Sequence, residues 1–365
     1  MILRLSGAQF LSTPFIAAAV AFAATVALVP VVRALCIRWR LFDSPGPLKI
    51  HARPVPRLGG VAIFMAVLAA AIFAGPHRAF SAWTFFAALV LVFAAGFVDD
   101  LRGVSPVFRL AAQFTAGVLL WTGGWRFALF GSSALDVVAV CAYVAALANA
   151  MNLLDGMDAI ATGTAGIIAV AYLALPAAFL SPFARTIAWT LAAACLGFLL
   201  YNWPPAKLFL GDGGSTVLGF LIAFLAVDFY RTRPATNSAL VFPFLVAAVP
   251  LLDAVLSALR RLRNRGSPFQ GDRRHIYDLM AARGWTIRGI AFSLCAITAA
   301  FAAIGFYGVR GSSAWFWVST AVGLGFFLCV AIRLGSLRAD TSTLAAVTER
   351  RRLMKDDASL GSPIS

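Results

Sequence analysis

Long apolar runs alternate with short polar segments along most of the chain. A helix needs about 20 apolar residues to cross a bilayer, and about eleven stretches approach that length. They lie at roughly 14–36, 58–75, 80–98, 106–123, 134–151, 159–179, 183–203, 214–230, 237–260, 288–308 and 313–334. This pattern predicts an all-α polytopic membrane protein, built as a bundle of about eleven transmembrane helices.

The composition supports a membrane protein. Hydrophobic residues make up 61% of the chain and charged residues only 12%, whereas about 25% of the residues in soluble domains are charged. The five cysteines stand singly within apolar runs, which is typical of small buried hydrophobic residues rather than of disulfides or metal sites.

The basic residues predict an orientation. If the N-terminus lies outside, roughly 23 of the 30 Lys and Arg residues fall in inner loops or the tail. This bias predicts that the C-terminus lies in the cytoplasm. It also accounts for the formal net charge of +15 without a nucleic-acid partner. We expect one transmembrane catalytic bundle over 1–338, with cytoplasmic active-site loops, and a short polar cytoplasmic tail over 339–365.

The acidic residues are not spread evenly over this topology. Asp99 and Asp100 end the third apolar run, which holds no other acid. Adjacent carboxylates repel each other unless a cation or proton intervenes, and acids at membrane depth usually have a function. The predicted cytoplasmic side also holds Asp155, Asp158, Asp212, Asp272 and Asp278.

Two further polar motifs end or begin apolar runs. Asn152, Asp155 and Asp158 are spaced to share one face of a helix, although Gly156 makes a helix end with a turn equally acceptable. Asp212 stands among glycines where the eighth run begins, a place suited to a metal or phosphate. Helix capping at a membrane border is the structural alternative for both motifs.

Oxygen ligands suit hard divalent cations, and Mg²⁺ commonly takes one or two carboxylates together with substrate phosphates. The candidate ligands are Asp99, Asp100, Asp155, Asp158 and Asp212. The chain has only three histidines and no Cys/His cluster, so zinc is not expected. The basic side chains of two loops could neutralise phosphate. Alternatively, these loops are basic only because the inner loops of membrane proteins carry an excess of Lys and Arg. The candidate residues are Lys49, His51, Arg57, Arg273, Arg274 and His275.

Six motifs follow one another in a recognisable order: DSPGPLKIHARPVPRLGG, FVDDLRGVSP, NAMNLLDGMDAIA, FLGDGGS, PLLDAVLSALRR and SPFQGDRRHIYDLM. With them the chain resembles the polyprenyl-phosphate N-acetylhexosamine-1-phosphate transferases of glycosyltransferase family 4. More distantly it is similar to phospho-MurNAc-pentapeptide transferase. The resemblance implies transfer of a sugar 1-phosphate from a UDP-N-acetylhexosamine to undecaprenyl phosphate, with release of UMP and a need for Mg²⁺ or Mn²⁺.

The resemblance also implies roles for the residues. Asp212 would be the metal ligand, and Asp99 and Asp100 would stand at the catalytic centre. Asp155 and Asp158 would line the same site as catalytic residues. The implied substrate-binding residues are Lys49, His51, Asn152, Arg273, Arg274 and His275.

The chain departs from the family pattern in two places. Tyr277 and Asp278 stand where the family often has histidines, so histidine roles cannot be transferred to them. Ala159 replaces a usual glycine, which is expected to matter little. The lack of a histidine-rich loop argues against the pentapeptide transferase substrate.

Alternatives remain at this level. The sugar phosphate could pass directly to the lipid phosphate or through an aspartyl-phosphate. From a different class, a transporter of lipid-linked sugars would place its polar groups near the membrane midplane. The expected partners are undecaprenyl phosphate, the sugar nucleotide and the bilayer. We expect the product to initiate O-antigen or other cell-surface polysaccharide synthesis, and homodimerisation stays open.

Overall fold

The structure is a computed structural model that describes residues 7–44, 54–74, 80–127, 131–232, 237–264, 272–310 and 314–338. Its helices are α1 (Gly7–Arg38), α2 (Gly60–Ala74), α3 (Phe80–Arg102), α4 (Pro106–Thr122), α5 (Ser133–Leu154), α6 (Ile160–Ala174), α7 (Pro182–Asn202), α8 (Gly211–Thr232), α9 (Asn237–Val246), α10 (Ala248–Arg263), α11 (Ile276–Ala281), α12 (Ile287–Arg310) and α13 (Ala314–Arg333). Strands β1 (Phe42–Asp43) and β2 (Val55–Pro56) form one short antiparallel pair.

Within the described ranges, 7 helices are long and apolar enough to cross a membrane. They are α1, α3, α5, α7, α8, α12 and α13. The apolar helices α2 and α6 have 15 residues each and α4 has 17. The prediction of a helical polytopic membrane protein is therefore confirmed. The count of about eleven spans, and the orientation of the termini, stay predictions.

The ninth apolar run is not one helix. It divides into α9, which ends at Val246, and α10, which begins at Ala248. Pro250 explains the break, because its ring has no N–H to donate to the carbonyl of Val246 and clashes with that carbonyl.

Helix α8 forms the centre of the bundle. All of its residues from Gly213 to Tyr230 are buried, and α2, α3, α5, α6 and α7 pack around it. A helix that is apolar on every side is stable when it is enclosed by protein or lipid. Because the FLGDGGS motif begins this helix, the packing of α8 fixes the position of Asp212.

A buried carboxylate anchors the far end of α8. Asp228 is 0% exposed, and its Oδ2 accepts the backbone N–H of Ser181 at 2.7 Å. Its Oδ1 accepts the Ser181 hydroxyl and the Arg231 guanidinium, each at 2.9 Å. A buried charge is tolerated when it is paired and hydrogen-bonded in this way. Asp228 therefore has a structural explanation at the end of α8 away from Asp212.

Glycines bring three helices together at the start of α8. A Cβ atom at Gly60 would lie 2.2 Å from the Cα of Gly214, and one at Gly96 would lie 2.6 Å from the carbonyl oxygen of Asp212. Real Cβ atoms do not approach so closely, so α2 and α3 reach α8 only because these positions have no side chain. The chain before α8 is also held, because Gly60 N–H donates to the carbonyl of Leu210 at 2.7 Å.

Candidate active site

A cleft of about 910 Å³ opens at the end of the bundle where α3 and α5 end and α8 begins. All five aspartates that the sequence singled out line it: Asp99, Asp100, Asp155, Asp158 and Asp212. They come from three separate motifs, and they meet because α3 and α5 both pack against α8. They lie at one end of the bundle rather than at its middle, which does not fit the arrangement expected of a midplane transport site.

Asp100 holds the beginning of α8. Its Oδ1 accepts the backbone N–H of Asp212 at 3.0 Å, and its Oδ2 accepts that of Gly213 at 2.9 Å. The first N–H groups of a helix have no partner within the helix, and a negative charge there interacts favourably with the helix dipole. With both oxygens engaged and only 7% of the residue exposed, Asp100 acts as a positioning residue for Asp212.

Arg109 bridges two of the acids. Its Nη1 lies 2.7 Å from Oδ2 of Asp99 and 3.2 Å from Oδ2 of Asp212. The other Asp99 oxygen accepts the backbone N–H of Val104 at 2.7 Å. The sequence predicts a cation among these carboxylates, but it does not single out Arg109, which is one of the many basic residues in the predicted inner loops. The position in α4, ten residues beyond Asp99 and just after a helix start, was the signal that could have identified it.

Asn152 orients the other side of Asp212. Its amide nitrogen donates to Oδ1 of Asp212 at 2.8 Å and to the hydroxyl of Ser215 at 3.1 Å. The Asp212 side chain is 38% exposed, whereas that of Asp99 is 10% exposed. Asp212 is therefore the more accessible of the two carboxylates that Arg109 bridges.

Asp155 and Asp158 occupy the turn after α5. Burial raises the pKa of Asp155 well above its ordinary value, and the charges of Asp212, Asp100 and Asp158 raise it further. The Asp158 carboxylate accepts the backbone N–H of Ala206 at 2.8 Å. Asp158 thereby holds the loop before α8 against the cleft, while Asp155 has an environment that favours its neutral form unless a cation is bound.

Ala159 lies in this turn with a φ of 65°. An L-residue in the left-handed region costs about 1–2 kcal/mol, so its replacement of the usual glycine is less minor than the sequence suggested. Its N–H donates to the Asn202 side chain at 3.0 Å, and Asn202 donates in turn to the carbonyl of Leu208 at 3.1 Å. The turn is held in place despite this backbone cost.

Two arginines add positive charge to the cleft lining, Arg57 and Arg288. The Nε of Arg57 is buried without a hydrogen-bond partner, which leaves a donor available to an anion. Arg288, which sequence reasoning did not select as a site residue, donates to the carbonyl of Pro204 at 3.1 Å. Lys49 and His51 lie outside the described residues, so their predicted contacts stay predictions.

The structure does not bring His275, Arg273 or Arg274 into the lining of this cleft. His275 is 4% exposed, and its Nδ1 lies 2.5 Å from Oδ2 of Asp253. Burial alone would lower the pKa of His275, but the charge and hydrogen bond of Asp253 raise it above the ordinary value. The predicted role of these three residues at the substrate phosphates stays a prediction.

The motif in α10 holds the loop that carries His275. Arg260 is 1% exposed and donates from its Nε and Nη2 to Asp272 at 2.7 and 2.9 Å. It also donates to the carbonyl of Arg274 at 3.1 Å. Burial would raise the pKa of Asp272, but Arg260 and Arg261 hold it below its ordinary value.

Tyr277 connects this loop to the acid cleft. Its hydroxyl donates to the carbonyl of Leu153 at 2.9 Å, and a Cβ at Gly156 would lie 2.0 Å from that hydroxyl oxygen. The tyrosine thus fills the space that Gly156 leaves open beside the turn of Asp155. The departure from histidine at this position has a structural explanation as a packing contact.

The donor set fits a hard divalent cation. Among the residues that the structure describes, no group of three or more His, Cys, Asp or Glu side chains could hold a metal ion alone. Mg²⁺, however, typically takes one or two carboxylates and completes its shell with water and substrate phosphates. Asp212 and Asp99, already bridged by one cationic nitrogen of Arg109, are the residues that would hold it.

A helical membrane protein with an acid cleft at one end of its bundle is the class that these observations define. The family model described as glycosyl transferase family 4 matches residues 82–230, which include the aspartates of the cleft. Together with the relatives described next, this match shows that the chain belongs to that family, and the resemblance drawn from the motifs is confirmed.

Relatives extend the match over most of the chain. The undecaprenyl-phosphate alpha-N-acetylglucosaminyl 1-phosphate transferase of Yersinia pestis is 30% identical over 334 residues, covering 84% of this chain and 87% of the relative. The decaprenyl-phosphate N-acetylglucosaminephosphotransferase of Mycolicibacterium smegmatis is 31% identical over 296 residues, covering 70% and 72%. A Thermotoga maritima undecaprenyl-phosphate alpha-N-acetylglucosaminyl 1-phosphate transferase is 28% identical over 261 residues, covering 70% and 78%.

Proposed function

We propose that this protein transfers N-acetylhexosamine 1-phosphate from a UDP-sugar to undecaprenyl phosphate and releases UMP. The observation that carries the proposal is the convergence of the five aspartates that the sequence singled out with two arginines, in one cleft at the end of a membrane bundle. The names of the relatives support it, because they give a polyprenyl phosphate and N-acetylglucosamine 1-phosphate as the groups that those enzymes join.

The position of the cleft suits a reaction between a lipid and a water-soluble donor. A polyprenyl phosphate carries its phosphate at the membrane surface, at the depth where α3 and α5 end. A sugar nucleotide would enter the same cleft from the aqueous side. The bias of basic residues toward one side supports a cytoplasmic cleft in a bacterial inner membrane.

The proposed reaction joins two anions. An oxygen of the lipid phosphate attacks the β-phosphorus of the UDP-sugar, and the bond from that phosphorus to the bridging oxygen breaks as UMP leaves. A phosphate monoester has a second pKa near 6, so the lipid phosphate is mostly ionised at neutral pH and needs little help from a base. The main task of the protein is therefore to neutralise charge and align the groups.

Different cleft residues would neutralise the charge and align the reacting groups. Arg57 supplies a buried donor without a partner, and Arg288 adds a second cation to the lining. A bound Mg²⁺ would neutralise pyrophosphate charge as a Lewis acid, and Asp212 with Asp99 would hold it. Asp100 keeps Asp212 in place through the backbone of α8, and Asn152 orients its carboxylate.

We infer a metal requirement from the arrangement of the acids. Asp155 is partly buried and lies near three other carboxylates, and such a group is stable either protonated or beside a cation. Mg²⁺ would provide that cation, and Mn²⁺ could replace it. Initiation of O-antigen or another cell-surface polysaccharide is the pathway we propose for the product.

The test is UMP release by the purified full chain with undecaprenyl phosphate, Mg²⁺ and a panel of UDP-sugars. We expect release with a UDP-N-acetylhexosamine, loss of release with EDTA, and loss in Asp212→Asn. Asp136→Asn is the matched control, since Asp136 is a buried aspartate in the first turn of α5, at the other end of that helix from the cleft. Release that survives Asp212→Asn and EDTA would contradict the proposed site.

A further inference from the structure

A second pocket lies apart from the acid cleft, between α11 and the segment that follows α13. Its volume is about 460 Å³. Four arginines line it, Arg273, Arg274, Arg283 and Arg338, and its lining contains one carboxylate, that of Asp278. The lining therefore carries an excess of positive charge.

Two of the four arginines have partners that account for their positions. Arg273 lies 3.8 Å from the carboxylate of Asp278. Arg283 donates to the main-chain carbonyls of Leu334 and Arg333 at 3.0 and 3.2 Å, at the end of α13. These contacts fasten α11 to the end of α13 and so build the wall of the pocket.

The other two arginines, Arg274 and Arg338, have fewer partners. Arg274 makes one long hydrogen bond, from Nη1 to the carbonyl of Gly335 at 3.4 Å, and its Nε is buried without a partner. Arg338 is exposed, and no carboxylate of the described chain forms an ion pair with it. The free Nε of Arg274 is therefore a donor that a ligand with acceptor oxygens could engage.

The pocket stands at the end of α13, a helix with exposed apolar side chains. Along α13, Val322, Phe326 and Ile332 are 64%, 67% and 50% exposed. The helix begins near Trp315, which is 74% exposed, and ends at Arg333. Exposed tryptophan at one end and arginine at the other are typical of a helix that spans from one membrane interface to the other.

We propose that this pocket binds the phosphate of an anionic phospholipid whose acyl chains lie along the exposed face of α13. Arginine forks match phosphate oxygens, and basic pockets at the ends of membrane helices bind anionic headgroups. A nucleotide or inorganic phosphate offers the same phosphate chemistry, but only a lipid would also use the apolar path along α13. The site does not depend on the proposed transfer reaction.

The experiment uses the full chain in nanodiscs of phosphatidylcholine, with and without phosphatidylglycerol. Native mass spectrometry would report retained lipid, and thermal unfolding would report stabilisation. We expect the wild type to retain a phosphatidylglycerol and to melt at a higher temperature when it is present. Arg274→Gln and Arg338→Gln should each weaken retention about fivefold, since one arginine near an anionic surface contributes about a factor of that size.

Arg38→Gln is the matched control. Arg38 is an exposed arginine at the end of α1, at the same end of the bundle, because nearby Cys36 donates to the carbonyl of the cleft residue Arg57 at 2.7 Å. We expect this variant to keep both the retained lipid and the thermal shift.

Two results would overturn the proposal. Equal losses in Arg38→Gln and Arg338→Gln would mean that lipid responds to diffuse surface charge rather than to a pocket. A thermal shift from inorganic phosphate or a UDP-sugar in phosphatidylcholine alone, lost in Arg274→Gln, would assign the pocket to a soluble phosphate. If Arg274→Gln does not fold, the exposed Arg338 still provides the comparison.

Discussion

Asp100 accepts the backbone N–H of Asp212 at 3.0 Å, although the two residues lie on different helices and 112 positions apart. This hydrogen bond and its neighbour to Gly213 join the FVDD motif to the FLGDGGS motif. The adjacent aspartates Asp99 and Asp100 therefore have different surroundings. The Asp99 carboxylate pairs with Arg109, and the Asp100 carboxylate accepts two backbone N–H groups of α8.

Asp100→Asn should destabilise the protein as well as reduce its activity. An asparagine offers a single acceptor oxygen, so one of the two buried N–H groups loses its partner, at a cost of about 1–3 kcal/mol. We expect a clear fall in melting temperature. Asp212→Asn is the comparison, because its partly exposed side chain can change without leaving a buried N–H unpaired. Equal melting temperatures for the two variants would contradict this role of Asp100.

Arg109→Gln should make stability depend on a divalent cation. Without the guanidinium, Asp99 and Asp212 repel each other until another cation neutralises them. We expect a lower melting temperature than wild type in EDTA and a larger recovery on addition of Mg²⁺.

Arg109→Lys is the control for the Arg109 experiment, since it keeps a positive charge and should keep most of the wild-type behaviour. If Mg²⁺ raised the melting temperature of wild type and Arg109→Gln by the same amount, Arg109 would not be the group that balances these carboxylates.

Ala159→Gly should stabilise the protein by about 0.5–1 kcal/mol. Glycine removes the left-handed strain at φ 65°. Part of this stabilisation is lost, because glycine raises the conformational entropy of the unfolded chain. Ala165→Gly, in the interior of helix α6, should instead cost about 1 kcal/mol. Thermal unfolding of the two variants should thus shift in opposite directions, and parallel shifts would show that Ala159 is not strained.

The pair of His275 and Asp253 should make stability depend on pH. Because Asp253 raises the pKa of His275, the charged histidine stabilises the folded state below the unfolded pKa, and this contribution is lost as pH rises through the higher folded pKa. We expect the melting temperature of wild type to fall toward that of His275→Gln as pH increases from 6 to 9, a range of about three units around the ordinary value. A constant difference across this range would mean that His275 is neutral in the folded protein.

The sequence predicted more of the helices than of the contacts between them. The apolar runs located the helices well, but Pro250 divided a run that length and composition alone made continuous. The aspartates could be placed together because positive-inside topology assigns them to one side. The residues that contact these aspartates could not be predicted, because helix packing decides whether an arginine faces the cleft.

Arg109 and His275 both have partners in the structure that the sequence alone does not predict. The sequence places Arg109 among the basic residues of the predicted inner loops, yet the packing of α4 on α3 puts it between two cleft carboxylates. The role of His275 at the substrate phosphates stays a prediction, but its partner Asp253 comes from α10 and could not be read from the loop motif. Residue spacing along one segment does not reveal a partner that comes from another helix.

The most direct measurement of the central claim follows the β-phosphate of the donor. The full chain, with undecaprenyl phosphate and Mg²⁺, is given UDP-N-acetylglucosamine carrying a radioactive β-phosphorus, and the lipid and nucleotide products are separated. Our account predicts that the label appears in the lipid and that the released nucleotide is unlabelled UMP. Label that stays in a released UDP, with the sugar alone on the lipid, would contradict transfer of the sugar 1-phosphate.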